Sequence, residues 1–193
     1  HADTLLATGP QEKKILRGYF DVRIFKKDLR GKSDSLHLDQ STGLIKMLKL
    51  PLSRKQNQIF TISQKNARNP VLWFGKSQMS GDKIFLTSDI NTKKLDSLKI
   101  IGNSWIIEKD SLSNSGFNQI KGGVLDGLFE EGALREIEVS KNTEVIYYMY
   151  SDEDNELIGI DQTTCSRLKM LTENNEIKDI TFYVSPDGNL FPE

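Results

Sequence analysis

The sequence predicts an all-β chain built from stacked strand-turn-strand repeats, and three observations predict it. Short runs alternate apolar and polar residues with a period of two, which places every second side chain on one buried face. Clusters of Asp, Asn, Gly and Ser recur between those runs, where hairpin connections need residues that tolerate positive φ. A loose repeat begins at Met79-Ser80-Gly81-Asp82, Ile120-Lys121-Gly122-Gly123 and Leu157-Ile158-Gly159-Ile160, with a fainter copy at Leu29-Arg30-Gly31-Lys32. In each copy an apolar residue precedes a glycine by two positions, and the glycines step by 50, 41 and 37 residues. Such self-similarity marks units that bury their faces against one another. No window of a dozen residues carries the i, i+3, i+4, i+7 stripe of a helix.

In chain order, residues 1–17 read as a flexible arm before a single β domain, 18–193. Asp21-Val22-Arg23-Ile24-Phe25 and Ser35-Leu36-His37-Leu38-Asp39 alternate, and Asp39-Gln40-Ser41-Thr42-Gly43 turns the chain. The stretch near 50–69 breaks the rhythm and reads as an insertion loop, with one strand over Gln58-Ile59-Phe60-Thr61-Ile62. It lengthens the first glycine step. Asp82-Lys83-Ile84-Phe85-Leu86 alternates and ends in the turn Ser88-Asp89-Ile90-Asn91. Trp105-Ile106-Ile107 and Val145-Ile146-Tyr147-Tyr148-Met149-Tyr150 are apolar on both faces, so they are expected to be covered on both sides. Between them, Glu130-Glu131-Gly132 turns the chain into Leu134-Arg135-Glu136-Ile137-Glu138-Val139, which alternates with one slip. Asp152-Glu153-Asp154-Asn155 and Glu173-Asn174-Asn175 are further turns. Asp179-Ile180-Thr181-Phe182-Tyr183-Val184 is the last alternating run.

Composition narrows the function. The 193 residues are 37% hydrophobic and 27% charged, with a net charge of −1 spread along the chain. That balance leaves no basic footprint for nucleic acid, and no apolar run reaches the roughly 18 residues of a membrane-spanning helix. Cys165 is the single cysteine, so no internal disulfide forms. His1, His37 and Cys165 lie too far apart in sequence for a metal-site spacing, and no metal or other cofactor is expected. His37 sits opposite in phase to Leu36 and Leu38, as an outward strand histidine would. The acidic turn at 152–156 lacks the central glycine of a calcium loop. Neither a Gly-x-Ser-x-Gly nor a cysteine-protease signature occurs, so a non-catalytic protein is expected. The start at His1-Ala2-Asp3, without methionine, fits a chain whose signal peptide has been removed.

One stretch carries a resemblance. Phe117-Asn118-Gln119-Ile120-Lys121-Gly122, then Gly127-Leu128-Phe129 and Leu134-Arg135-Glu136-Ile137, resembles the OstA-like, LptA-type periplasmic proteins of lipopolysaccharide export, in their Bacteroidetes form. Gly31-Lys32-Ser33-Asp34-Ser35-Leu36, Pro70-Val71-Leu72-Trp73 leading to Gly81-Asp82, Leu157-Ile158-Gly159, and Ile180-Thr181-Phe182 to Asn189-Leu190-Phe191-Pro192 are similar too. The resemblance runs from about Gly18 to the C-terminus, and Leu50 to Asn69 depart from it. It implies a periplasmic β-jellyroll shaped like a taco shell, which clasps lipopolysaccharide acyl chains in a hydrophobic groove. It also implies end-to-end strand addition to other transport proteins, or to copies of itself. Acyl chains need a dry lining, since each buried methylene contributes about 0.8 kcal/mol. Alternate strand residues would supply it: Leu36 and Leu38, Ile84 and Leu86, Leu125 and Phe129, Ile137 and Val139, Tyr147 and Met149, Leu168 and Met170, and Phe182 and Val184. Plain core packing would use the same residues. The alternative function is therefore a structural or adhesive β-repeat domain that binds protein partners through a filled sandwich. A weaker alternative, a carbohydrate-active β-solenoid, would need carboxylates clustered on one face.

Overall fold

The computed structural model describes every residue except 12, 27, 28, 51–68, 114, 152, 174, 175 and 193, and all but the side chain of 176. The expected strand at 58–62 and the body of the expected insertion loop lie outside the described residues. The described chain forms β1 (Thr4–Thr8), β2 (Ile15–Lys26), β3 (Leu29–Asp39), β4 (Leu44–Leu48), β5 (Val71–Phe74), β6 (Ser77–Ser80) and β7 (Lys83–Ser88). It continues with β8 (Leu95–Lys109), β9 (Phe117–Glu130), β10 (Ala133–Tyr150), β11 (Leu157–Glu173), β12 (Glu176–Tyr183) and β13 (Asp187–Phe191). The chain is all-β, a β-jellyroll in which every strand pairs antiparallel with its neighbours.

The pairing register shows how the jellyroll is made. Residues 35–39 of β3 pair with β4, and residues 29–32 pair with β5. In the same way β8 pairs with β7 through 95–101 and with β6 through 105–108. Strand β11 pairs with β12 through 167–173 and with β13 through 160–164. Strands β4 and β5, β6 and β7, and β12 and β13 are thus single rungs broken in the middle. The long strands β2, β3, β8, β9, β10 and β11 are whole rungs. Each rung contributes one half to each of two sheets, which fold against each other along a common line.

At that line the backbone turns left-handed in consecutive pairs: Phe20 and Asp21, Gly102 and Asn103, Lys141 and Asn142, Val184 and Ser185. In β2, β8 and β10 the pairing register slips at the same points. These are bulges that sharply bend the strand, held despite a cost of about 1–2 kcal/mol for each non-glycine residue in that conformation. The repeated glycines lie on the intervening rungs: Gly31 in β3, Gly81 between β6 and β7, Gly122 in β9 and Gly159 in β11. None of these four has a positive φ. The bends occur on the neighbouring strands. Gly81 and Gly122 instead give those bends room. A Cβ on Gly81 would lie 2.3 Å from Cγ2 of Ile100, and one on Gly122 would lie 2.5 Å from Cγ1 of Val139. The repeat read from the sequence is therefore a two-rung hairpin, one rung bent and one rung relieved.

The core lies between the sheets. Met47, Ile84, Leu98 and Leu168 of the first sheet join Leu72, Met79, Ile106 and Ile120 of the second in one buried cluster. Phe74 and Phe129 meet across it edge to face, ring centres 5.3 Å apart, a favoured aromatic geometry. The outer faces carry cross-strand ion pairs such as Lys99–Asp126 and Lys169–Glu136. Several expectations need correction. The runs at 134–139 and 145–150 are one strand, β10. Trp105 is 42% exposed and Met149 40% exposed, so neither run that is apolar on both faces is covered on both. Within 1–17, Thr4–Thr8 forms an exposed edge strand on β2 rather than a free arm, because its backbone groups find partners there.

Candidate functional site

Following the register across the first sheet gives an inward row: Leu36, Met47, Ile84, Ile100, Leu125, Val139, Leu168 and Phe182, each opposite the next. A second row runs through Leu38, Ile45, Leu86, Leu98, Gly127, Ile137, Met170 and Ile180. Most of the residues expected to line a groove fall in these two rows. Alternation alone places them there, because residues two apart share a face. Sequence reasoning missed Met47, Ile45, Leu98 and Ile100 in the same rows. Their signal was present in Leu44-Ile45-Lys46-Met47-Leu48 and Leu98-Lys99-Ile100.

Between the sheets these side chains pack tightly. Ile84, Leu86 and Leu168 are fully buried at 0% exposure. The void among Phe74, Ile106, Ile120, Leu134, Ile137 and Met170 measures only ≈ 20 Å³, about enough for one water. Tyr147 and Ile177 border it and also border an open cleft of ≈ 360 Å³, shared with Met149, Asp161, Lys178, Asp179, Ile180 and Phe182. This cleft is a mouth between the sheets beside the last rung, where no further rung of the described residues covers the apolar rows. Tyr147, Ile177, Ile180 and Phe182 are all half-buried and pack against the core. Burial raises the Tyr147 phenol above its ordinary value, and the charges of Asp110 and Glu108 add to the shift. A tyrosine phenol is already neutral at physiological pH, and the shift keeps it so.

The remaining expected lining residues divide. Phe129 packs on the core beside Phe74. Met149 lies at the mouth. Val184 lies outside the rows: β12 ends at Tyr183, and Val184 is left-handed and 66% exposed at an elbow. His37 stands on the outer face, half-buried between Arg17 and Lys46 of the flanking strands. Cys165 is buried, and burial raises its thiol pKa, which leaves little reactive thiolate. Among the described residues no group of three His, Cys, Asp or Glu side chains is placed to hold a metal ion.

Comparison with known proteins finds the fold. No protein-family model matches the chain. No curated protein matches it significantly in sequence. Among solved structures, the chain is similar to the crystal structure of LptH from Pseudomonas aeruginosa, with a TM-score of 0.55 and 12% identity. The match covers 85% of this chain and 95% of that one. LptH is described as the LptA homologous periplasmic component of the conserved lipopolysaccharide transport device. The LptA-like β-jellyroll is thereby shown for this chain as a fold.

Proposed function

We propose that this protein is a non-catalytic periplasmic carrier that shelters the acyl chains of lipopolysaccharide between its two sheets. The observation that carries the reading is the pair of apolar rows ending at the open mouth lined by Tyr147, Met149, Ile177, Ile180 and Phe182. The likeness to LptH supports the architecture for it. The Bacteroidetes OstA-like family fits the resembling segments, with residues 18–193 as one domain. Acyl chains would enter at the mouth and part the sheets, replacing side-chain contacts with chain contacts of similar apolarity. Such a groove only sets equilibria, so direction must come from energy supplied by partner proteins. Those partners would add strands at the exposed edges, β1 at one end and β12 or β13 at the other.

One observation favours the rival reading, a protein-binding β domain: the interior is already filled. Photocrosslinking with purified lipopolysaccharide separates the two. Probes at Phe182 and Tyr147 should crosslink strongly, and one at outward-facing Thr181 weakly. Silence at both inward positions in folded protein would discard the carrier reading in favour of the rival.

A further inference from the structure

The outer face of the second sheet, near its first rungs, holds a cleft of ≈ 680 Å³, within the usual volume range of small-ligand sites. Its walls follow from register. Phe25, Arg30 and Trp73 stand opposite one another on β2, β3 and β5. Arg23 and Lys32 stand opposite one another in a neighbouring row of the same face. Ile24, Gly31 and Leu72 alternate with them and point to the core. Phe25 is 70% exposed, although it is a large aromatic residue. The Trp73 indole N–H donates to Oε1 of Gln78 at 2.9 Å, which holds the ring plane at the cleft edge.

The charges here differ from those elsewhere on the surface. Elsewhere on the outer faces, cations such as Lys99, Lys121 and Lys169 are matched by a carboxylate on the adjacent strand. Here Arg23 and Lys32 share one carboxylate, that of Asp21, at 2.8 and 3.1 Å, and Asp21 itself lines the neighbouring cleft. Arg30 makes no ion pair with a described carboxylate, and it lies in the row between two aromatic residues. Among the described residues, three cations and no carboxylate line the cleft.

The geometry points to a binding site for a phosphorylated sugar. A guanidinium presents a planar fork that matches phosphate oxygens, and the negative face of an aromatic ring attracts the polarised C–H face of a pyranose. A site for bare anions would have no use for the two exposed aromatic rings, Phe25 and Trp73. The site is argued from this face alone. Only its link to a lipid-borne sugar rests on the function proposed above, and there it would hold the polar part of the cargo outside the sheets.

The test uses the full chain with Trp105→Phe, so that Trp73 is the only indole. Glucose 1-phosphate, glucose and inorganic phosphate are titrated separately, to about 10 mM, while Trp73 emission is followed. Glucose 1-phosphate should give a saturable change. Glucose and inorganic phosphate should each bind at least about tenfold more weakly. Arg30→Gln should lose about tenfold in affinity, and Lys99→Gln on the other sheet should lose none. No saturable change overturns the site, and so does equal binding of phosphate and sugar phosphate. An equal loss from Lys99→Gln would also overturn it, by showing a diffuse charge effect. Lipopolysaccharide crosslinking at Phe182, run on the same variants, keeps the two proposals apart. Crosslinking retained without sugar-phosphate binding defeats this site alone. Sugar-phosphate binding without crosslinking defeats the carrier reading alone.

Discussion

Asp110 shows how much one side chain can hold. It is buried at the end of β8, and its carboxylate accepts N–H groups from Leu112 at 3.1 Å and Ser113 at 2.5 Å. The Tyr150 hydroxyl donates to it as well, at 2.5 Å, so the β8–β9 loop is tied to the end of β10. Burial pushes the Asp110 pKa up, but the hydrogen bonds outweigh it and the net shift is downward. Desolvation and the bond to Asp110 hold the Tyr150 phenol up at about 12. A carboxylate with a depressed folded pKa stabilises fully above its unfolded value, about 3.9, and loses that contribution as the pH falls through the folded value. Asp110→Asn should therefore cost about 1–3 kcal/mol at pH 7, with the gap to wild type closing below about pH 4. Urea midpoints across that range check it; matching midpoints at pH 7 would refute it. Gly81 makes a second residue-scale prediction. Gly81→Ala drives a Cβ into Ile100 and toward the Gly102 carbonyl at 3.0 Å, so it should cost about 1–3 kcal/mol in the same assay. No loss would mean that the core can move aside there. The glycine spacing was legible in the sequence. The reason for it was not, since the obstacle at each glycine comes from a strand distant in sequence.

At the scale of elements, the elbows decide the architecture. Alternation at 35–39 and 82–86 places β3 and β7 well, because a period of two needs only local information. The joining of 134–139 to 145–150 in one strand escaped the pattern, because the pair Lys141 and Asn142 looks like a turn. It is a turn in φ, at 69° and 55°, but the strand continues through it and changes sheet. Asn has some tolerance for that region; Lys has little. A β-branched residue has less still, so Lys141→Val should destabilise by about 1–2 kcal/mol, while Lys141→Gly should be neutral or stabilising. Thermal melts of the two variants test this, and equal melting points would mean that the elbow conformation carries no strain. The same substitution pattern is expected at Val184, already β-branched in a left-handed elbow. Val184→Gly should raise stability by up to about 1 kcal/mol.

At the scale of the molecule, two sheets share one core and leave their ends open. Leu5 and Leu6 on β1 and Leu190 and Phe191 on β13 are large apolar residues at those ends, each at least about half exposed. Unprotected edges of this kind invite another strand. Leu5→Lys combined with Phe191→Lys should reduce any self-association of the protein at high concentration, measured by light scattering, without lowering the melting temperature by more than a few degrees. If association occurs in the parent and persists unchanged in the variant, the edges are not its route.

The sequence by itself determined that the chain is all-β, which residues alternate inward, and where its two-rung period falls. These are local properties, set by side-chain parity and turn chemistry. Only the tertiary structure decided which parities face each other across the sheets, that the strands bend beside the glycines rather than at them, and that Arg30 stands between Phe25 and Trp73. It also decided that the interior is packed nearly shut except at the mouth beside the last rung. Those outcomes depend on pairings between residues far apart in the chain. One face of alternating apolar residues serves a filled core and an open groove equally well, because burial free energy follows apolar area and not the identity of what covers it.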